Sequence, residues 1–148
     1  MRLLVLIAVS ALITGCSTMR TWTGTGIVKV LPHYLDAAGN STDGPTLLHR
    51  DVYQQHLRGN PELVKGVRYD VNWHGRQNVT FRLELRSTKA GVDPLVINKE
   101  ASAGVRVTHW TFIHIDEAAY TAFGQPEAWR VSVWDGDEML DEEVSFLW

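Results

Sequence analysis

The chain has 148 residues, 14 basic against 17 acidic side chains for a net charge of −3, 45% hydrophobic residues and a single cysteine. That length holds one ordinary globular domain. A lone thiol excludes an internal disulfide and every cysteine-built metal site, and the lack of a basic stripe argues against a nucleic-acid partner, whose capture rests on clustered Lys and Arg.

The N-terminus carries an address. Arg2 supplies a positive start, Leu3 to Leu12 an apolar run of about ten residues, and Ile13-Thr14-Gly15-Cys16 a stretch of mostly small side chains. A membrane-spanning helix needs about 20 apolar residues, so this run reads as a cleaved export signal. Ile13 to Cys16 resembles the lipobox of bacterial lipoproteins. That resemblance implies a signal peptide over residues 1–15, removed before Cys16, with the Cys16 thiol diacylated and its freed amino group acylated. It also implies a protein held by lipid on a membrane of the bacterial cell envelope. Ser17 follows the cysteine, where an aspartate retains enterobacterial lipoproteins at the inner membrane, so the implied site is the outer membrane, facing the periplasm. A plain secretory signal cut after about residue 18 is the alternative. Residues 16–25, rich in Ser, Thr and Gly, then read as a lipidated tether ahead of a single domain over residues 26–148.

A first strand runs through Ile27, Val28, Val30 and Leu31 and is expected to end at Pro32, before a loop of turn formers from Asp36 to Pro45. Thr46 to Arg58 predicts a helix in which Asp51 and Gln54 form a capping pair, Gly59 and Asn60-Pro61 end it, and Leu48, Val52 and His56 share a face. An irregular crossover containing one helical turn is the alternative. Val67, Tyr69, Val71 and Trp73 alternate with Arg68, Asp70, Asn72 and His74, the signature of a half-buried strand. After the turn at Gly75-Arg76-Gln77, Val79, Phe81, Leu83 and Leu85 alternate with Thr80, Arg82, Glu84 and Arg86, and the two strands are expected to pair as a hairpin.

Leu95 to Ile97 reads as a short strand. Val105 to Ile115 is apolar on both sides, with Val105, Val107, Thr111, Ile113 and Ile115 assigned to the core and Trp110 and Phe112 to the opposite face. Asp116 to Phe123 predicts a capped helix ended by Gly124. Trp129, Val131 and Val133 then alternate with Arg130, Ser132 and Trp134, Asp135-Gly136 marks a hairpin turn, and Met139 to Trp148 returns as the last strand.

Seven strands without βαβ alternation predict a mostly β protein, an antiparallel two-sheet sandwich with one or two short helices. The ending Ala128 to Trp148 resembles the last hairpin of immunoglobulin-like or fibronectin-type domains, preceded by a short helical corner. This implies an immunoglobulin-like β-sandwich, though the paired cysteines of true immunoglobulin domains are missing.

Little here carries reaction chemistry. His33, His49, His56, His74, His109 and His114 show no HExxH spacing, and His109 and His114 sit on opposite sides of one strand. No GxSxG elbow is present. The acids Asp135, Asp137, Glu138, Asp141, Glu142 and Glu143 read as a solvated edge rather than a calcium loop. No catalytic group, cofactor or metal is therefore expected, and an envelope hydrolase or metal protein is the weakest reading. Trp73 and Trp129 fall in phase with the core. Trp110, Phe112 and Trp134 fall out of phase and form the candidate binding surface, for a sugar ring or a protein partner, unless the helix over 46–58 covers them. The expected function is a membrane-anchored, non-enzymatic interaction or structural module, with a glycan-binding module as the alternative.

Overall fold

The computed structural model describes residues 24–148, so the signal segment, Cys16 and the tether up to residue 23 lie outside the described residues. The elements run β1 (Gly26–Leu35), α1 (Leu47–Gly59), one 3-10 turn (Pro61–Leu63), β2 (Gly66–His74), β3 (Val79–Ser87), β4 (Leu95–Ala101), β5 (Thr108–Ile115), α2 (Glu117–Phe123), β6 (Pro126–Asp135) and β7 (Glu138–Val144). The strands form a three-stranded sheet in the order β1-β2-β5 and a four-stranded sheet in the order β4-β3-β6-β7. All the pairings are antiparallel, and the two sheets pack as a β-sandwich.

The expected hairpin of β2 with β3 does not form. Both strands carry a complete apolar row, Val67 to Trp73 and Val79 to Leu85, and both rows are buried. Placed in different sheets, the rows face each other across the interior, where packed sheets stand about 10 Å apart. Trp73 meets Phe81 edge-to-face at 5.4 Å, a geometry that adds about 1 kcal/mol to the burial of the two rings. The Trp73 indole N–H donates to the Thr111 hydroxyl at 3.0 Å, so the largest core side chain buries no unpaired polar atom. At the crossing, a side chain on Gly75 would meet the Thr25 hydroxyl at 2.6 Å and the Trp73 ring at 3.0 Å, so the turn admits only glycine without a shift.

Strand ends also differ from expectation: β4 runs past Ile97 to Ala101, because Lys99 to Ala101 pair with Val79 to Phe81 of β3, and three further ends shift. β1 continues through Pro32 to Leu35, because β1 is an edge strand and an edge tolerates a residue without an N–H. β5 begins only at Thr108, which pairs with His74, the last residue of β2. Among the described residues no partner strand remains beyond that point, and Val105 and Val107 stand exposed in the preceding loop rather than in the core. β7 stops at Val144, where Ser145 turns the chain by exchanging hydrogen bonds with the Trp129 backbone. By contrast, α2 is capped by Asp116 and ended by Gly124 (φ 89°), and Gly136 (φ 57°) makes the β6–β7 turn, as the sequence predicts.

The helix over 46–58 exists as α1, but its cap and its face are both different. Thr46 is the cap, its hydroxyl accepting from the His49 N–H, while Asp51 is exposed and pairs with Arg50. Leu48 and Val52 are 72% and 60% exposed, and Gln54 and Leu57 are the buried residues. Gln54 decides this orientation. Its side-chain carbonyl accepts from Tyr34 N–H at 2.8 Å, and its amide donates to the carbonyls of Tyr34 (2.9 Å) and Ser41 (2.8 Å). One amide thus satisfies both backbone groups of Tyr34 on the edge of β1. Further along the same edge, the Asp141 carboxylate of β7 accepts from Ile27 N–H at 2.9 Å. Side chains therefore manage an edge that would otherwise invite another strand.

Gln54→Ala should lower unfolding stability by about 2 kcal/mol, because partly buried backbone groups lose their partners. Leu48→Ala and Val52→Ala should each stay within about 0.5 kcal/mol of the parent, as surface changes do. Urea unfolding of the three variants checks the orientation of α1, and the reverse ranking would contradict it.

A candidate interaction surface on the three-stranded sheet

Residues directly opposite in a sheet point to the same face. The register of β1, β2 and β5 therefore lays out three rows on the outer face: His33, Arg68 and His114; then Leu31, Asp70 and Phe112; then Lys29, Asn72 and Trp110. A bulge between Ile27 and Lys29 makes this possible. Without the extra residue, Lys29 would share the inward phase of Ile27.

The centre of this face is polar yet buried. Asp70, Asn72 and His33 are each only 7% exposed. Arg68 grips Asp70 through two parallel hydrogen bonds, Nε to Oδ1 at 2.6 Å and Nη2 to Oδ2 at 2.9 Å, the strong bidentate form of the pair. Asn72 donates to the His109 carbonyl at 3.1 Å. His33 sets Nε2 at 3.5 Å from the second Asp70 oxygen, while its Nδ1 is buried without a partner among the described residues. Burial holds the His33 pKa below the usual histidine value, with the nearby Arg68 and Arg50 guanidinium groups adding to the effect and Asp70 and Asp51 opposing it. Between this row and α1 lies a recess of about 320 Å³ lined by Leu31, His33, Arg50, Asp51 and Arg58 among others.

Above the polar centre stand two rings. Trp110 and Phe112 are each 45% exposed, and α1 does not bury them, because it docks on the edge of β1. Each ring has a cation over it: Lys29 Nζ lies 5.4 Å from the Trp110 ring centre and the Arg68 guanidinium 5.3 Å from that of Phe112. Such contacts hold a ring in place and contribute about 0.5–1 kcal/mol each at exposed sites.

Trp134 is elsewhere. It pairs with Thr80 in the four-stranded sheet, lies under the Arg82 guanidinium at 4.8 Å, and donates its indole N–H to the Ser132 hydroxyl at 2.8 Å. The three out-of-phase aromatics are thus divided between the two outer faces of the sandwich: Trp110 and Phe112 share one, and Trp134 occupies the other. No known protein family, curated protein or solved structure matches the chain.

The remaining residues singled out in the sequence are dispersed. Trp73 is central to the core, and Trp129 packs at its rim, edge-on to Tyr69 at 6.1 Å. Among the described residues, no three His, Cys, Asp or Glu side chains converge where they could hold a metal ion. The acids of the last hairpin are engaged at three points, Asp135 by Gln77 at 2.9 Å, Asp141 on the edge of β1 and Glu142 on Arg130 at 2.7 Å. Sequence reading missed Lys29, Leu31 and the Arg68–Asp70–His33 cluster. Alternation along β2 signals only which side Arg68 and Asp70 take, and it says nothing of what buries them.

The depressed pKa of His33 has a defined effect on stability. The unfolded chain takes up this proton near pH 6.5, whereas the folded chain takes it up only at lower pH, so acidification favours unfolding. Stability should be undiminished by this group above about pH 7 and should fall as the pH drops below the unfolded value. His33→Gln should flatten the decline of the urea midpoint between about pH 7 and pH 5. An unchanged slope in that variant would show that another group sets the decline.

Proposed function

We propose that the protein is a lipid-anchored lipoprotein of the bacterial envelope, and that it works as a non-enzymatic interaction module presenting the outer face of the three-stranded sheet to an envelope protein. Support for the anchor is the resemblance of Ile13 to Cys16 to a lipobox, and Ser17 favours the outer membrane with the domain facing the periplasm. Among the described residues, no helix is long and apolar enough to cross a membrane, and the lipid reading requires none. Two or three acyl chains at Cys16 hold a domain on a bilayer durably, since each buried CH₂ contributes about 0.8 kcal/mol.

The observation that carries the recognition surface is the pair Trp110 and Phe112. Two large rings project side by side from alternate residues of β5, half exposed, steadied by Lys29 and Arg68, and unused by the core. Aromatic and Arg side chains of this kind are the usual anchors of protein interfaces. A protein partner is favoured over a glycan because Trp134 lies on the opposite face. Two rings with cations over them make a short, positively edged patch rather than a row of stacking platforms.

Two measurements test this reading. Mass spectrometry of the membrane fraction should find a chain that begins at an acylated Cys16; an intact Met1 or an N-terminus beyond Cys16 would refute the anchor. Detergent-solubilised full-length protein should retain an envelope protein whose capture falls at least tenfold in the double variant Trp110→Ala, Phe112→Ala and is unchanged in Trp134→Ala, given a cost of about 2 kcal/mol for a central aromatic anchor. Retention of peptidoglycan fragments in place of a protein would favour the glycan reading, and equal loss in both variants would refute the choice of face.

A further inference from the structure

We infer that the loop ahead of β5 is a second membrane contact, a small apolar tip with basic flanks that rests on the lipid surface beside the anchor. This inference rests on the lipoprotein reading of Cys16. Gly24 and Thr25, where the described chain begins, line a cleft with His74, Gly75, Arg76 and Gln77 on one side and Gly104 to Val107 on the other. The chain arriving from Cys16 therefore reaches the sandwich at the end that displays this loop. Seven residues separate Cys16 from Gly24, so even a fully extended tether spans only about 28 Å. An acylated Cys16 would keep this end of the domain close to the bilayer, while the end bearing α2 and the Ser145 turn is another strand length away.

The loop is suited to that neighbour. Val105 is 106% exposed and Val107 76%, which leaves two branched aliphatic side chains in water two residues apart. Arg106 lies between them and Arg76 faces them across the cleft, whose lining among the described residues includes no acid. Aliphatic side chains flanked by guanidinium groups suit the boundary between acyl chains and anionic headgroups. Acids also stand at this end: Asp135, Asp137 and Glu138 on the β6–β7 hairpin, where Gln77 donates to Asp135 at 2.9 Å, Glu100 opposite Thr80 on β4, and Asp141, whose carboxylate accepts from Ile27 N–H.

Spin labelling tests this in the lipidated full-length protein, reconstituted in vesicles of mixed phosphatidylethanolamine and phosphatidylglycerol. Val105→Cys, Val107→Cys and Phe146→Cys each receive a nitroxide; Phe146 is equally exposed but lies beyond β7 at the opposite end. Labels at 105 and 107 should become several-fold less accessible to a water-soluble nickel complex and more accessible to oxygen when vesicles are present, with the label at 146 unchanged. If the protein floats with the vesicles but the labels at 105 and 107 remain as accessible to nickel as the label at 146, the inference fails and the anchor stands. Failure to float would overturn both readings. Shielding of 105 and 107 without vesicles would assign the tip to contact between copies of the chain and also overturn the inference.

Discussion

The fold turns on two apolar rows that must face each other. Val67, Tyr69, Val71 and Trp73 on β2, and Val79, Phe81, Leu83 and Leu85 on β3, are all buried, and each row belongs to a different sheet. Had the strands paired side by side, both rows would have shared one face and needed strands other than each other's to cover them. Crossing between layers lets each row cover the other, and the Trp73–Phe81 contact sits at the point of crossing. The facing rows also determine what points outward. Arg68, Asp70 and Asn72 take the outside of one sheet, Arg82, Glu84 and Arg86 the outside of the other, and the aromatics of β5 and β6 follow their own sheets.

Period-two alternation made the strands legible, and local chemistry made several ends legible: Asp116 as a cap, Gly124 as a stop, Asp135-Gly136 as a turn. What alternation does not encode is the identity of the neighbour. A strand with a buried row looks the same whether its sequence partner lies beside it or across the core, which is why β2 and β3 read as a hairpin. Val105 and Val107 have the composition of a strand, yet β2 ends at His74, so nothing among the described residues remains for them to pair with. In α1 the apolar residues Leu48 and Val52 looked like the inward face, but three hydrogen bonds between the Gln54 side chain and backbone, two donated and one accepted, outweigh two aliphatic side chains on a helix that touches only an edge. The bulge after Ile27 has no signature in the sequence, and it alone brings Lys29 beside Trp110.

The candidate surface and the tip are consequences of the same sheet. β5 starts late, which frees the valine loop, and then alternates Trp110 and Phe112 outward above the Arg68–Asp70 pair. Beside those rings the Asp70 carboxylate is held largely out of water, an arrangement that costs desolvation and is kept in order by its hydrogen bonds with Arg68. A surface stiffened in this way loses little freedom when a partner docks on it. In the proposed envelope setting, the tether and tip hold one end of the domain at the lipid, and the face bearing Trp110 and Phe112 stands roughly along the membrane normal, open to a neighbour in the periplasm.

The division of the two outer faces is the claim on which the rest depends, and through-space proton NMR reads it most directly. The sandwich predicts contacts of the Trp73 ring with Phe81, of the Trp110 ring with Lys29 side-chain protons, and of Trp134 with Arg82, together with amide ladder contacts of β2 to β1 and β5. A continuous ladder of backbone contacts between β2 and β3 would contradict it. That result would return the two strands to a hairpin and remove the common face of Arg68, Asp70, Trp110 and Phe112.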